Sequence, residues 1–431
     1  MRFALGLVVI AISAAQTEDN SSTQNTALLQ QIKQRAITDL GSLPNYLCVD
    51  SIERSLWIPD QRQFRRLDRL HLEIAHIENA DRFSWLGNSV FQSQAPTEMV
   101  GYGASFKGDF ADNRALVFRN DWTRISYSGR VTLEGRPALR YEYDVHRRVL
   151  AVRNGDQSGV AAARGAFWID PEALDVLQID LEAYDIPASL AIRSIVDHTM
   201  YWPVLVGGQR VLLARRSELL LTELDGTVKR NQSVFSNCRE YIAESTVTFG
   251  SSPGPQDSPP TKERARVEAG LRIPLALDAP LDANKASVGD PIRAHTLETV
   301  GGIRRGAHVY GRVSRIINYN DQIPTPRPGQ PSRSSKRPVY GQHSGEVLIG
   351  IEFSQIEYGR SRAPFTARLI DVESQPGVKA AEIRGFGYFD DDRIVQYDPP
   401  STASLYVSQE SPVLGRGIIM QWVTMRERGS L

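Results

Sequence analysis

Cysteine is nearly absent, with Cys48 and Cys238 the two in 431 residues. Two thiolates cannot complete the four-ligand shell of a structural zinc without histidine. Histidine is scarce too, and the nearest pair, His71 and His76, has an odd separation that turns the rings to opposite faces of a strand. Asp390, Asp391 and Asp392 are consecutive, lack the alternating ligands of a calcium loop, and read as a hairpin turn. Neither metal nor cofactor is therefore expected. An excess of charge is also missing: 50 basic and 50 acidic residues cancel, so no global field draws in nucleic acid or an anionic membrane surface. The common nucleotide motifs, the P-loop and G-x-G-x-x-G, do not occur. After the first residues no apolar run reaches the ~20 residues that span a bilayer.

What is present begins with "MRFALGLVVIAISAAQ", one Arg followed by an apolar run ending at small residues, with Ser13 and Ala15 placed for cleavage before Gln16. This is the pattern of a secretory signal over residues 1–15. It implies an exported chain, periplasmic or extracellular, with no transmembrane segment once the signal is removed. With 41% hydrophobic residues the chain can build more than one core. Residues 250–270, rich in Pro, Ser and Gly and then charged, read as a linker. Residues 320–345 read as a long exposed loop.

The spacing of Leu28, Ile32, Ala36 and Leu40 predicts an amphipathic helix that Asn25 or Thr26 caps and Gly41 ends. The period then becomes two: Tyr141, Tyr143 and Val145 alternate with Arg140, Glu142, Asp144 and His146, and Leu70, Leu72 and Ile74 alternate likewise. Strand-like runs follow one another through turn pairs such as Asp170-Pro171 and Asp225-Gly226. An antiparallel meander is the expected result.

The order of the helix, "LPNYLCVDSIERSL", "LEGRPALRYEYDV", "ARGAFWIDPEALDVLQID" and "REYIAESTVTF" resembles secreted acidobacterial proteins of unassigned activity. Their pattern is similar to the LolA-like fold of outer-membrane lipoprotein sorting. The resemblance implies a curved antiparallel half-barrel over 26–249 whose apolar concave face, covered by helices, takes acyl chains. Alternating Leu70, Leu72, Ile74, Phe83, Trp85, Leu177, Ile179 and Leu181 are candidates to line it, or are plain core. The stretch from Gly101 to Phe118 is the expected second cover.

By even spacing, Cys48 shares a face with Ile52 and Leu56, and Cys238 with Val234 and Ile242. An exported protein permits a Cys48–Cys238 disulfide between the first and last strands of the domain. Two buried free thiols are the alternative.

From 271 to 428 the sequence again alternates as strands, and "SVGDPIRAHTLETVGGIRRGAHVYGRVSRI" resembles the periplasmic β-barrel domain of TrbI-like conjugation and type IV secretion proteins. Gly306 and Gly311 stand where that family has glycine, whereas Arg304-Arg305 replaces its Pro-Lys. The expectation is a mainly β protein of two domains, half-barrel and barrel-like, that binds a lipid or other apolar ligand. The alternatives are a non-catalytic structural protein with an envelope partner and, more distantly, a hydrolase.

Overall fold

A computed structural model of the protein describes residues 12–59, 62–78, 80–87, 91, 99, 112–154, 157–241, 266–318, 345–359, 361–373, 375–380 and 401–426. The tripeptide 390–392, Ile242, most of the 250–270 linker and nearly all of the 320–345 loop lie outside these residues. Helix α1 spans Ile12–Gly41. Strands β1 (Tyr46–Trp57), β2 (Arg65–Ile77) and β3 (Ala80–Trp85) follow, then helix α2 (Asp112–Phe118). A meander of β4 (Thr123–Leu133), β5 (Arg136–Asn154), β6 (Gln157–Ile169), β7 (Val176–Tyr184), β8 (Ile192–Val206), β9 (Gln209–Glu223) and β10 (Val228–Glu240) comes next. The C-terminal half holds β11 (Arg272–Leu277), β12 (Leu281–Asp282), β13 (Pro291–Thr296), β14 (His308–Asn318), β15 (Glu346–Tyr358), β16 (Ser361–Pro364), β17 (Ala367–Val372), β18 (Val378–Ala380), β19 (Thr402–Ser408), β20 (Val413–Leu414) and β21 (Ile419–Thr424).

These elements form two compact units. The first contains Met1–Tyr46, His76–Ala80 and Ala104–Glu240, and the second Leu47–Ala75, Asp81–Gly103 and Tyr241–Leu431. In the first unit β4 to β10 pair in chain order as an antiparallel sheet. Its turns are built as their residues require. Asp170 accepts the amide N–H groups of Glu172 and Ala173 at 2.9 and 3.0 Å, and Asp225 accepts that of Thr227 at 2.8 Å. Along β5, Tyr141, Tyr143 and Val145 are buried while Glu142 and His146 are exposed. Helix α1 buries Ile32, Ala36 and Leu40 and ends at Gly41. It starts earlier than its spacing suggests: Asn25 and Thr26 lie inside it and do not cap it. Between Ile12 and Leu40 there is no Gly or Pro to break the helix.

The second unit contains a nearly closed, barrel-like sheet in the order β17-β21-β11-β13-β14-β15-β19-β18. The end strand β17 is drawn toward β19 where the Ser401 amide, just before β19, donates to the Ala367 carbonyl at 2.6 Å. Trp422 is fully buried at its centre, with Phe353 and Phe365 edge-on at 5.6 and 6.0 Å. Gly311 is fixed by close approach, since a Cβ there would meet the Glu352 carbonyl oxygen at 2.0 Å. Ile52, Leu70 and Leu72 share this unit's core with Leu275, Val309 and Phe353. Backbone bonds reinforce the association: His71 donates to Val288 and Val288 to Arg69, both at 2.8 Å.

Both cysteines are disulfide-bonded, which makes the bond Cys48–Cys238. The face argument for Cys238 needs correction, because Val234 is 54% exposed while Ser233 and Phe235 are buried. Asn237, at φ 51°, interrupts the extended backbone just before the cysteine, and even spacing does not carry a face across such an irregularity.

Candidate ligand-binding site

The eight residues singled out by alternation do not assemble in one unit. Leu70 and Leu72 belong to the core of the second, and Trp85 packs against that core beneath the Arg312 guanidinium, which lies 4.3 Å from its ring centre. Ile74 and Phe83 are buried too and lie in segments of the second unit, but they are not part of that core cluster. Ile179 and Leu181 are buried in the first unit on β7. Leu177 is half-buried because of a bulge: Trp168 pairs with Gln178 and Ile169 with Val176, so Leu177 has no cross-strand partner and Val176 takes the buried position.

Registered cross-strand rows define the buried face of the first unit's sheet. Val145, Ala163, Ala183, Ile195 and Leu221 form one row across β5 to β9. Tyr143, Gly165, Leu181, Asp197 and Leu219 form the next, and Tyr141, Phe167, Ile179, Thr199 and Ser217 the third. Helix α2 packs on β5 and β7 and against α1, with the Phe118 ring edge-on to Phe167 at 5.0 Å. The face is thus apolar or small except at its tyrosines and in the middle of β8 and β9. Glycine at 165 is required there: a Cβ would stand 1.9 Å from the Asp180 carbonyl oxygen, and the Tyr143 hydroxyl donates to that same oxygen at 3.0 Å.

Helix α2 places two polar side chains into this apolar setting. Asn113 donates to Asp197 Oδ2 at 2.7 Å, and the Thr199 hydroxyl donates to the same oxygen at 2.8 Å. Asp197 Oδ1 has no hydrogen-bond partner. Burial pushes the Asp197 carboxyl up to about 6, against the two hydrogen bonds that favour its charged form. The Tyr143 phenol is held well above its usual value, first by burial and then by the Asp197 charge. Arg114, 1% exposed, lies over the Tyr201 ring at 5.2 Å, and its Nε and Nη1 donors have no acceptor. Burial lowers its affinity for the proton. Tyr143 shows in the sequence as part of the β5 alternation, but Asn113, Arg114, Asp197 and Thr199 do not stand out, since a single polar residue in an apolar face leaves no periodic trace.

Two further clusters resemble sites. In the second unit His71 Nδ1 lies 2.6 Å from Asp290 Oδ1, and Ser287 Oγ lies 3.5 Å from His71 Nε2, the order of a hydrolase triad. Ser287 is buried, however, and the local amides are already engaged. Ser287 donates to Asp290 Oδ2, Val288 to Arg69, Gly289 to Val313 and Asp290 to Ser287, so none is left to stabilise an oxyanion. The cluster locks a turn. The letters G-x-S-x-G occur at Gly250–Gly254, outside the described residues.

On the opposite, solvent-facing side of the first sheet is a cavity of about 560 Å³ over Ala166. Arg124, Asp144, Arg164 and Glu182 cross it as one row of alternating charge. Arg164 grips Glu182 at 2.9 and 3.0 Å, and Tyr184 donates to Asp144 at 2.7 Å. Much of this face satisfies itself. Among the described residues no group of three or more His, Cys, Asp or Glu side chains is placed to hold a metal ion. No helix among them is long and apolar enough to cross a membrane.

No family model and no curated protein matches the sequence. Two solved structures are similar to part of it. One is described as an outer membrane lipoprotein-sorting protein domain from Vibrio parahaemolyticus, at 12% identity over 50% of this chain and 93% of that one, with a TM-score of 0.27. The other is a DUF1329 family protein from Desulfovibrio piger, at 12% identity over 50% of this chain and 94% of that one, with a TM-score of 0.26.

Proposed function

We propose that the chain is an exported envelope protein that binds or carries a lipid or other apolar ligand on the helix-covered face of the first unit's sheet, without catalysing a reaction on it. The make-up of that face carries the reading: its registered rows are largely apolar or small across five strands, and α2, part of its cover, has only 7 residues. A helix that short has little stability of its own and is held by what it packs on. An apolar ligand entering beneath it would therefore shift it at modest cost while the helix stays as cover. Export is supported by the signal-like first residues and by the disulfide, a bond that persists in oxidising compartments.

Native mass spectrometry of protein purified from an envelope-containing host tests the reading. Co-purified lipid released on denaturation is the expected result. A lipid-free protein that also fails to take up a fluorescent fatty acid would overturn it.

The alternating charges of the solvent-facing row favour a second reading, an interaction protein of the envelope. Photocrosslinking from Ser126 in envelope preparations, giving one defined protein adduct while no lipid is found, would establish that reading in place of the first.

A further inference from the structure

In the first unit three guanidinium groups share two carboxylates. Arg210 holds Asp175 at 2.5 Å, and Arg35 reaches Asp175 at 3.5 Å and Asp39 at 3.3 Å. Arg114 is left over: it feels the Asp39 charge, yet among the described residues no carboxylate oxygen comes within the 4.0 Å of an ion pair. It is also the most deeply buried of the three. A charged side chain removed from water is strongly destabilising unless a counter-ion or acceptors replace the lost hydration. The Tyr201 ring covers one face of the guanidinium but accepts neither the Nε nor the Nη1 proton. Arg114 stands on the same short helix as Asn113, and that helix packs on β7, the strand that carries Ile179 and Leu181.

We propose that Arg114 receives the anionic head of an amphiphile, a carboxylate or phosphate at the end of an acyl chain whose apolar part lies on the helix-covered face. The inference rests on the apolar-ligand reading above and adds the charge and position of the head group. A guanidinium is suited to either oxyanion because its N–H donors are fixed in one plane. In an apolar setting such a contact is stronger than in water.

The full-length protein would be titrated with dodecanoate, dodecyl phosphate and dodecanol, each below its micelle concentration, by displacement of a fluorescent fatty acid. At least a tenfold preference for one or both anions over the alcohol is expected, and the better anion identifies the head group. Arg114→Met should abolish that preference by weakening the anions at least tenfold more than dodecanol, and melt at or above the wild-type temperature. Arg114→Lys should keep part of the preference. Equal affinity of the wild type for all three ligands, or a preference that survives in Arg114→Met, overturns the inference and leaves the apolar-ligand reading standing. Failure of every probe to bind overturns both. If Arg114→Met does not fold, the wild-type comparison of anion with alcohol and the Arg114→Lys variant still decide the matter.

Discussion

Asn113 on α2 donates to the buried Asp197 carboxylate on β8 at 2.7 Å, across 84 residues of chain. This bond ties the short helix to the sheet through an acid whose protonation is itself shifted by burial.

That acid makes stability depend on pH. The ordinary carboxyl value is 3.8 and the folded value about 6, so between them the folded chain binds the proton more tightly than the unfolded chain does. Stability from this group is fully present below 3.8 and is lost as pH rises through about 6. Asp197→Asn, which keeps an oxygen for Asn113 and Thr199, should remove the dependence. Relative to the wild type it should gain on the order of 2–3 kcal/mol at pH 8 and little at pH 4. Urea unfolding at several pH values checks this, and parallel curves for the two proteins would refute it.

Gly165 is expected to tolerate no side chain. A methyl group at 1.9 Å from the Asp180 carbonyl must push β6 and β7 apart or displace the Tyr143 ring. Gly165→Ala should therefore cost about 1–3 kcal/mol, the usual range for overpacking. Chemical denaturation measures it, and an unchanged midpoint would contradict the packing described.

The Ser287, His71 and Asp290 chain should behave as a structural turn. A fluorophosphonate probe is expected to leave Ser287 unmodified. Asp290→Ala should lower stability by about 1 kcal/mol, because the Ser287 amide loses its acceptor. Labelling of Ser287 that disappears in His71→Ala would instead identify a working nucleophile.

The Cys48–Cys238 bond closes a very long loop, for which chain entropy gives an upper figure of about 5 kcal/mol. Denaturing alkylation without reductant should find no thiol in protein purified under oxidising conditions, and reduction should lower its melting temperature. Two labelled cysteines would show that the bond does not form.

Several features were legible in the chain alone. Tyr141, Tyr143 and Val145 advertise β5, and Ile32, Ala36 and Leu40 advertise α1, because one-sided burial writes its period into neighbouring residues. Asp170 and Asp225 mark their turns through side-chain bonds made within a few residues. The strand β19 escapes such reading: Thr402 to Val407 are all buried, which leaves no alternation to detect.

Long-range pairing settled the rest. Leu70 and Leu72 alternate as a first-domain strand would, yet they bury with Leu275 and Val309, a choice made by which distant surface covers them. Leu177 matches Ile179 and Leu181 in spacing, and a one-residue bulge against β6 separates it from them. Arg114 and Asp197 carry no local mark at all; the register of β5 to β9 and the seating of α2 place them in an apolar face. Period and turn chemistry act over a few residues and so can be read along the chain. Whether a lone charge ends in water or under a helix depends on contacts between segments far apart in sequence, and these exist only once the sheet has formed.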